Sequence, residues 1–300
     1  MLRRPLALMF CLILAVFVSA CGDDDSGSSD SDSSDKGSSS KSDSDIDTPA
    51  PLEAGGDLVV CTDVPYPPAE YQEGTEFKGY EVEMLESVAE RMGVTAEFQK
   101  TGFDGIIGAL QAKKCDAIVS SMNITSEREE QVAFVPYMTI GQAVAVTPDA
   151  EGSINALEDL AGKTVAVQVG TTLKALIEKE NANLDEPIKV QSFPDAGAAA
   201  AALQTGKVDA FFADAPVVAD YVNKQPDNFA IGGTQIDELP AGIALRKEDS
   251  ELQDAVQEVI DAMYEDGSLE KIFAKFNVDE FLLADDADEG DEAAEGDATS

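Results

Sequence analysis

Two features of the sequence predict an α/β fold of two lobes joined by a hinge. Short apolar runs typical of strands alternate with helical patterns through residues 57–281, which favours a mostly parallel sheet flanked by helices in each lobe. Two further β-prone runs, 142–146 and 241–245, enclose about 95 residues that form a β/α set of their own. This arrangement indicates a domain inserted into another, with two strands crossing between the lobes as a hinge.

The individual helices and strands are predicted from apolar spacing and capping residues. Residues 79–92 and 103–112 each show the spacing of a helix that buries one face. Asp195 is suited to cap an alanine-rich helix that ends near Gly206. Strands are predicted at the apolar runs 58–62, 94–99, 117–119, 164–167, 189–192, 208–212 and 229–231. The first predicted lobe consists of residues 57–142 and 242–283, and the second consists of residues 143–241.

The N-terminal residues predict export and a lipid anchor. Arg3 and Arg4 precede an apolar run at 6–18, which is too short to span a bilayer core of about 30 Å. The run ends in small residues before Cys21, a pattern similar to the site at which bacterial lipoproteins are lipidated and cleaved. We therefore predict a signal peptide at 1–20 and an extracytoplasmic protein held at the outer face of the cell membrane, or in the periplasm, by lipidated Cys21. An ordinary signal peptide that happens to carry a cysteine is the alternative.

Low-complexity segments flank the predicted core. Residues 21–56 consist largely of Gly, Ser and Asp, and residues 284–300 form an acidic tail without a basic residue. Both segments have too little apolar surface to offset the entropy of ordering. We therefore expect both to be disordered, the first as a tether between the lipid and the folded part.

The formal net charge of −39 argues against several classes of partner. Nucleic-acid binding depends on neutralising phosphates with Lys and Arg, and adsorption to anionic lipid also needs basic residues. The lipid anchor is therefore the one expected contact with a membrane. The chain has no histidine, and its core holds only Cys61 and Cys115, so the usual zinc ligands are missing and no metal or cofactor is expected.

Cys61 and Cys115 would meet an oxidising compartment after export. Cys61 is predicted near the carboxyl end of one strand and Cys115 near the start of another. If these strands are parallel neighbours, the offset places the two Cα atoms beyond the ~7 Å reach of a disulfide. We therefore do not expect a bridge, although the sequence leaves the pairing open.

Five motifs occur in order along the predicted core: TDVPYPP at 62–68, FDGIIGAL at 103–110, SSMNITSER at 120–128, GTT at 170–172 and Asp214. Their order and spacing resemble one family, the polar amino-acid family of extracellular solute-binding proteins, which are receptors of ABC importers. The resemblance covers essentially all of 57–281. It implies the type II periplasmic-binding-protein fold, an amino-acid ligand, an ABC-transporter permease as partner, and a monomeric receptor without catalytic residues.

Four residues suit the two charged ends of a free amino acid. The planar guanidinium of Arg128 can hold a carboxylate bidentately. Thr171 and Thr172 lie at a predicted helix start, where backbone N–H groups bind anions. Asp214 follows a buried strand, near the end at which cleft residues of parallel sheets lie. The resemblance assigns Arg128 to the α-carboxylate and Asp214 to the α-ammonium, so that the ligand bridges the lobes. On the residues alone, Arg128 could be a solvated helix residue and Asp214 a helix cap.

The remaining family positions surround the ligand side chain. Tyr66 and Phe103 could be core aromatics, but the resemblance implies that they flank the side chain. It also places Asp63 beside it, where a second anion favours Lys, Arg or ornithine, or an amide donor such as Gln. Ser120 and Ser121 resemble members for basic amino acids. Three further positions leave the choice open: Asn123, Gln168 and Glu70, the last either a contributor or a surface residue.

The leading prediction is therefore a transport receptor for a basic or glutamine-like amino acid, and two other classes remain open. A sensory binding protein would present its closed form to a partner. An enzyme resembling cyclohexadienyl or arogenate dehydratases would need a positioned acid or base beside the substrate. The sequence shows no motif beyond the amino-acid clamp, which disfavours the enzyme.

Overall fold

The computed structural model describes residues 48, 49, 52, 56–233 and 236–283. The predicted signal peptide, Cys21, most of the predicted tether and the acidic tail at 284–300 lie outside the described residues. Within the predicted tether, Leu52 belongs to the main core, and the Thr48 hydroxyl donates to the Met92 carbonyl at 2.8 Å. The predicted tether boundary at residue 56 is therefore too late, because an apolar side chain and a hydroxyl in this segment find partners in the folded part.

The chain up to residue 132 builds a β/α unit with a small hairpin. Its elements are β1 (Leu58–Thr62), β2 (Tyr71–Glu73), β3 (Glu76–Lys78), α1 (Tyr80–Arg91), β4 (Ala96–Lys100), α2 (Ile106–Gln111), β5 (Ala117–Ile118) and α3 (Ser126–Glu129). Helix α1 forms where it is predicted, because its apolar face is buried and Gly93, with a φ of 75°, ends it. A single 3-10 turn, Phe103–Gly105, precedes α2 and accounts for the start of the predicted helix at 103–112.

The next hundred residues or so build a second β/α unit, and the chain then returns to the first. Its elements are β6 (Ala133–Val146), β7 (Thr164–Gln168), α4 (Leu173–Asn181), β8 (Lys189–Phe193), α5 (Ala196–Gln204), β9 (Ala210–Asp214), α6 (Ala215–Lys224) and β10 (Ala230–Ile231). The returning elements are β11 (Ile236–Leu245), α7 (Ser250–Glu265) and α8 (Ser268–Ala274). The Asp195 carboxylate accepts the Ala198 N–H at 2.8 Å, so the predicted cap of α5 is confirmed.

Nine of the described strands form one continuous sheet in the order β4-β1-β5-β11-β6-β9-β7-β8, with β10 paired to β6, while β2 and β3 form a separate hairpin. β1 pairs in parallel with β4 and β5, and β7 pairs in parallel with β8 and β9. The two ends of the sheet are therefore the parallel halves predicted for the two lobes. β6 and β11 run antiparallel to each other between these halves.

The two crossing strands are longer than the sequence predicted. β6 begins at Ala133 rather than at residue 142, and β11 begins at Ile236 rather than at 241. Both added stretches contain a proline, Pro136 or Pro240, and proline argues against a central strand in a sequence pattern. The strands accommodate these residues through shifts in register.

One face of the sheet carries a core that both lobes share, and the other face does not. The shared cluster runs from Val88 and Phe273 in the first half to Phe211 in the second. On the opposite face, Ile118 belongs to a cluster of the first half and Phe212 to a separate cluster of the second half. Because neighbouring strand residues point to opposite faces, Phe211 and Phe212 serve different cores.

Cys61 and Cys115 form a disulfide with their Cα atoms 5.7 Å apart. The expectation of no bridge was wrong, because it treated Cys115 as part of the neighbouring strand. β5 begins only at Ala117, and the Asp116 N–H donates to the Val59 carbonyl at 2.7 Å. Cys115 thus lies in the turn that leads into β5, outside the strand register, and packs in the same cluster as Cys61.

None of the helices in the described ranges is both long and apolar enough to cross a membrane.

Candidate functional site

A small cavity lies between the two halves of the sheet, a position typical of ligand sites. Asp63 follows β1, Gln168 ends β7 and Asp214 ends β9, so the carboxyl ends of parallel strands supply its polar wall. Nine of the eleven predicted ligand-binding residues line it, with Leu173 in addition. These nine are Asp63, Tyr66, Phe103, Ser120, Ser121, Asn123, Gln168, Thr171 and Asp214. The described residues contain no cluster of three or more potential metal ligands.

Side-chain hydrogen bonds cross the cavity from one half of the chain to the other. They run from the Tyr66 hydroxyl to Asp214 at 2.7 Å, from the Gln168 amide to Asp63 at 2.5 Å, and from the Thr172 hydroxyl to Asn123 at 3.0 Å. In every pair, one residue precedes β6 and the other follows it. The predicted site residues therefore meet across the boundary between the two β/α units.

Arg128 and Thr172 lie just outside the cavity, in an adjoining groove that shares Phe103 and Thr171 with it. The Arg128 guanidinium donates to the Asn123 carbonyl at 2.7 Å and lies 5.4 Å from the centre of the Phe103 ring. It also bridges the two units by donating to the Gly170 carbonyl at 3.0 Å. Among the described residues it forms no ion pair, and burial lowers its pKa.

Gly170 marks the closest approach of the two units. Its φ is +83°, and an added Cβ would lie 2.9 Å from the Cα of Asp104. Any larger residue would be strained in its backbone and would also push the two units apart. The GTT motif therefore needs glycine for two separate physical reasons.

Asp63 and Asp214 are both buried acids with raised pKa values. Burial raises the pKa of Asp214 to about 7, although the Tyr66 hydrogen bond and the charge of Arg128 oppose the shift. Burial likewise raises the pKa of Asp63 to about 6, against the Gln168 hydrogen bond. Asp214 occupies the N-cap position of α6 but makes no capping hydrogen bond. Its carboxylate accepts from Tyr66 instead, so the alternative of a plain helix cap does not describe its contacts.

The floor of the cavity depends on Glu81, which the sequence alone did not single out, and on Glu70, whose role the sequence left open. Ser121 has a φ of +43° and is held by Glu81, which accepts both its N–H and its hydroxyl. Ser120 donates to Glu70 at 2.6 Å, so Glu70 is a buried partner of the site rather than a surface residue. A sequence signal for Glu81 exists: it is spaced to lie on the apolar face of α1, where a carboxylate needs buried donors.

The chain is similar to proteins of a known family. Residues 58–279 match the family model described as bacterial extracellular solute-binding proteins, family 3. The L-cystine-binding protein TcyJ of Escherichia coli (strain K12) is 30% identical over 223 residues, which cover 74% of this chain and 82% of that protein.

Two solved structures extend the comparison to the fold. An ancestral arginine-binding protein bound to arginine is 37% identical, with a TM-score of 0.69, covering 74% of this chain and 98% of that one. The ancestral amino acid-binding protein AncCDT-1, a precursor of cyclohexadienyl dehydratase, is 33% identical with a TM-score of 0.69, covering 75% of this chain and 97% of that one. The predicted two-lobed α/β fold is confirmed by these matches.

Proposed function

Because the chain belongs to the bacterial extracellular solute-binding proteins, family 3, we propose that it captures a basic amino acid between its lobes and delivers it to the permease of an ABC importer. Amino-acid binding is the property its named relatives share, since their descriptions give cystine, arginine and amino acids as ligands. The preference for a basic side chain is argued below from the charges of the cavity.

The observation that carries the proposal is an excess of buried carboxylates. Asp63 and Asp214 are 3% and 6% exposed, and Arg128 is the only base among the described residues that line the cavity and its groove. A simple zwitterion would match Arg128 and one carboxylate, and the other would stay buried without a cation at a cost of several kcal/mol. A ligand with a second positive charge removes that cost, whereas an acidic ligand would be repelled.

The ligand is oriented in this proposal by the contacts at its two ends. Its α-carboxylate meets Arg128 and the N–H groups at the start of α4, where Thr172 is the N-cap and Thr171 precedes it. Its α-ammonium meets Asp214, and its side-chain cation meets Asp63. The residues proposed to surround the side chain are Tyr66, Phe103, Ser120, Ser121, Asn123 and Gln168.

Closure of the lobes is proposed to bury the ligand. We assign 57–142 and 242–283 to one lobe and 143–241 to the other, with the paired β6 and β11 as the connection about which they move. The ligand contacts groups on both lobes, which gives the closed state its differential binding energy. The receptor is proposed to act as a monomer.

Binding measurements across candidate ligands test the proposal directly. Thermal-shift screening against the twenty amino acids, ornithine and citrulline should give the largest shifts for arginine, lysine or ornithine. Titration calorimetry on the best ligand then gives its stoichiometry and affinity. Strong binding of glutamate or aspartate with no response to arginine would overturn the choice of ligand.

Replacing Asp63 with asparagine is expected to weaken binding of arginine roughly tenfold or more, because a charge-assisted hydrogen bond to a cation is lost. Binding of glutamine should change less than about threefold, since an amide donor still finds an oxygen acceptor. Asp185→Asn, at an exposed position, is the matched control and should change neither affinity. Equal losses for arginine and glutamine in calorimetry would contradict the role of Asp63.

The affinity for arginine is expected to rise with pH between pH 5 and pH 8. In the ligand-free protein the pKa values of Asp214 and Asp63 are about 7 and about 6, and a bound cation lowers both, so binding releases protons in this range. The loss at pH 5 should be roughly tenfold or more, measured by calorimetry in buffers of different ionisation enthalpy.

The raised pKa values of Asp63 and Asp214 also determine how the stability of the folded protein changes with pH. The folded pKa values lie above the ~3.9 of an unfolded aspartate, so the ligand-free protein loses stability as pH rises from about 4 towards 7. Saturating arginine should restore it, because the bound cation favours the ionised forms. An affinity for arginine that does not change between pH 5 and pH 8 would contradict the release of protons on binding.

A lipid anchor is proposed to hold the protein at the outer face of the cell membrane. The family description, bacterial extracellular solute-binding proteins, agrees with an extracytoplasmic location, and the small residues before Cys21 support lipidation there. Mass spectrometry of protein extracted from membranes should find a diacylglyceryl adduct on Cys21. A mature N-terminus without lipid would contradict the anchor and indicate an ordinary exported protein.

Two alternatives are separated from transport by simple assays. One relative is a precursor of cyclohexadienyl dehydratase, although it is itself an amino acid-binding protein. Incubation of the purified protein with prephenate or arogenate should give no turnover, in line with the binding-protein descriptions of its relatives. Uptake of labelled arginine that depends on the protein and a permease would favour transport over a sensory role.

A further inference from the structure

Two buried glutamates lie behind the cavity and take no direct part in the proposed ligand contacts. Glu70 and Glu81 are each 0% exposed. In the described part of the chain, no lysine or arginine forms an ion pair with either of them. Two neighbouring carboxylates without a cation are very costly in a buried site, because burial and mutual repulsion add. The pair therefore needs a proton.

The hydrogen bonds of the two glutamates differ in a way that places this proton. Glu81 accepts the Ser121 N–H at 2.9 and 3.0 Å, the Ser121 hydroxyl at 2.7 Å and the Tyr137 hydroxyl at 2.5 Å. Glu70 accepts the Ser120 hydroxyl on Oε1 at 2.6 Å, and its Oε2 accepts from no described donor. An oxygen surrounded by donors suits a carboxylate, and an oxygen without donors suits an O–H group.

We propose that Glu70 and Glu81 form a proton-sharing pair, with Glu70 the neutral acid and Glu81 the carboxylate, and that the pair positions the serine floor of the binding cavity. Glu70 orients the Ser120 hydroxyl, whose oxygen accepts the Asp63 N–H at 3.2 Å. Glu81 holds Ser121 in its left-handed conformation. Both are positioning residues, and the effect on affinity rests on the proposed function, whereas the shared proton does not.

The surroundings of the pair agree with this assignment. Burial first, and then the charge and hydrogen bonding of Glu81, raise the pKa of Glu70 well above its usual value. The other titratable groups that face the pair are acids and phenols: Asp63, Tyr66, Tyr80, Tyr137 and Asp214. Since none of these groups can carry a positive charge, none of them stabilises a second carboxylate, and the neighbourhood favours a retained proton.

Infrared spectroscopy tests the proton without any ligand. At about pH 9, where Asp63 and Asp214 with pKa values of about 6 and 7 are ionised, the protein should still show the carbonyl stretch of one protonated carboxylic acid. The band should be absent in Glu70→Gln and present in Glu90→Gln, an exposed control on the same helix as Glu81. Absence of the band from the unaltered protein would overturn the proposal.

Stability against pH gives a second readout. An unfolded glutamate ionises near pH 4.3, so a raised pKa makes the folded protein lose stability as pH rises above that value. Glu70→Gln mimics the neutral acid. The urea concentration at its unfolding midpoint should therefore fall less between pH 5 and pH 8 than that of the unaltered protein. An identical pH dependence in the two proteins would contradict a neutral Glu70.

Binding of L-arginine completes the test, because the two glutamine variants should differ. Glu70→Gln should bind within about threefold of the unaltered protein, since the amide oxygen still accepts from Ser120. Glu81→Gln should bind at least about tenfold more weakly, because the amide nitrogen would take the place of Oε2 and face the Ser121 N–H, which offers no acceptor. Equal losses in both variants would overturn the assignment. If the unaltered protein does not bind arginine, the proposed ligand is wrong. The infrared and pH measurements would still determine whether Glu70 holds a proton.

Discussion

Replacing Arg128 with alanine is expected to weaken amino-acid binding at least about a hundredfold while the fold stays intact. The guanidinium is buried at the edge of the cavity and contacts both lobes, through the Asn123 carbonyl and the Gly170 carbonyl. Removing one partner of a buried, hydrogen-bonded charge pair costs about 2–5 kcal/mol or more, and the ligand carboxylate would be that unpaired partner. Closure would also lose a contact between the lobes.

Two further variants separate this role from a general loss of charge. Arg91→Ala is the matched control, because Arg91 is also in the first lobe but pairs with Asp266 at 2.8 Å away from the cavity residues. It should leave calorimetric affinity unchanged. Arg128→Lys should fall between the two, since lysine keeps the charge but not the planar fork. Near-normal affinity in Arg128→Ala, with a normal thermal melt, would refute the assignment of the carboxylate to this residue.

The cavity could be predicted from the sequence because its residues follow strands. Asp63, Gln168 and Asp214 each come at or just after the end of an apolar run, and the carboxyl ends of parallel strands meet at one edge. Local pattern and topology together are enough to place such residues. Of these three residues, only Asp214 was predicted in this way. The motif resemblance named Asp63, Gln168 and the loop residue Asn123, which periodicity alone does not identify.

The support behind the cavity could not be predicted, because it depends on contacts between distant segments. Glu81 belongs to a helix that looks purely structural, and it reaches the floor of the site through Ser121, 40 residues along the chain. Glu70 follows the TDVPYPP motif, where a polar residue is equally common at a surface. Only the folded structure shows that both acids are buried, Glu81 against Ser121 and Tyr137 and Glu70 against Ser120.

Breaking the Cys61–Cys115 disulfide is expected to destabilise the folded protein by about 4 kcal/mol, the chain-entropy value for a closed loop of this size. The two cysteines are 54 residues apart in the sequence. They pack in the same cluster as Ile106, Leu110 and Ile118, so the bond ties the turn between α2 and β5 to β1 within a cluster that belongs to the first half of the sheet.

Comparing oxidised and reduced protein isolates the bond from any change in side-chain volume. A chain that begins at Gly22 holds only these two cysteines, so reduction acts on a single bridge. Urea unfolding should show a clearly lower midpoint after reduction, and Cys61→Ala with Cys115→Ala should behave like the reduced protein or slightly worse. Because Asp63 follows β1, two residues beyond Cys61, a small loss of arginine affinity should accompany the loss of stability. Two free thiols in the native, unreduced protein, or equal midpoints before and after reduction, would show that the first lobe is held together by its apolar packing alone.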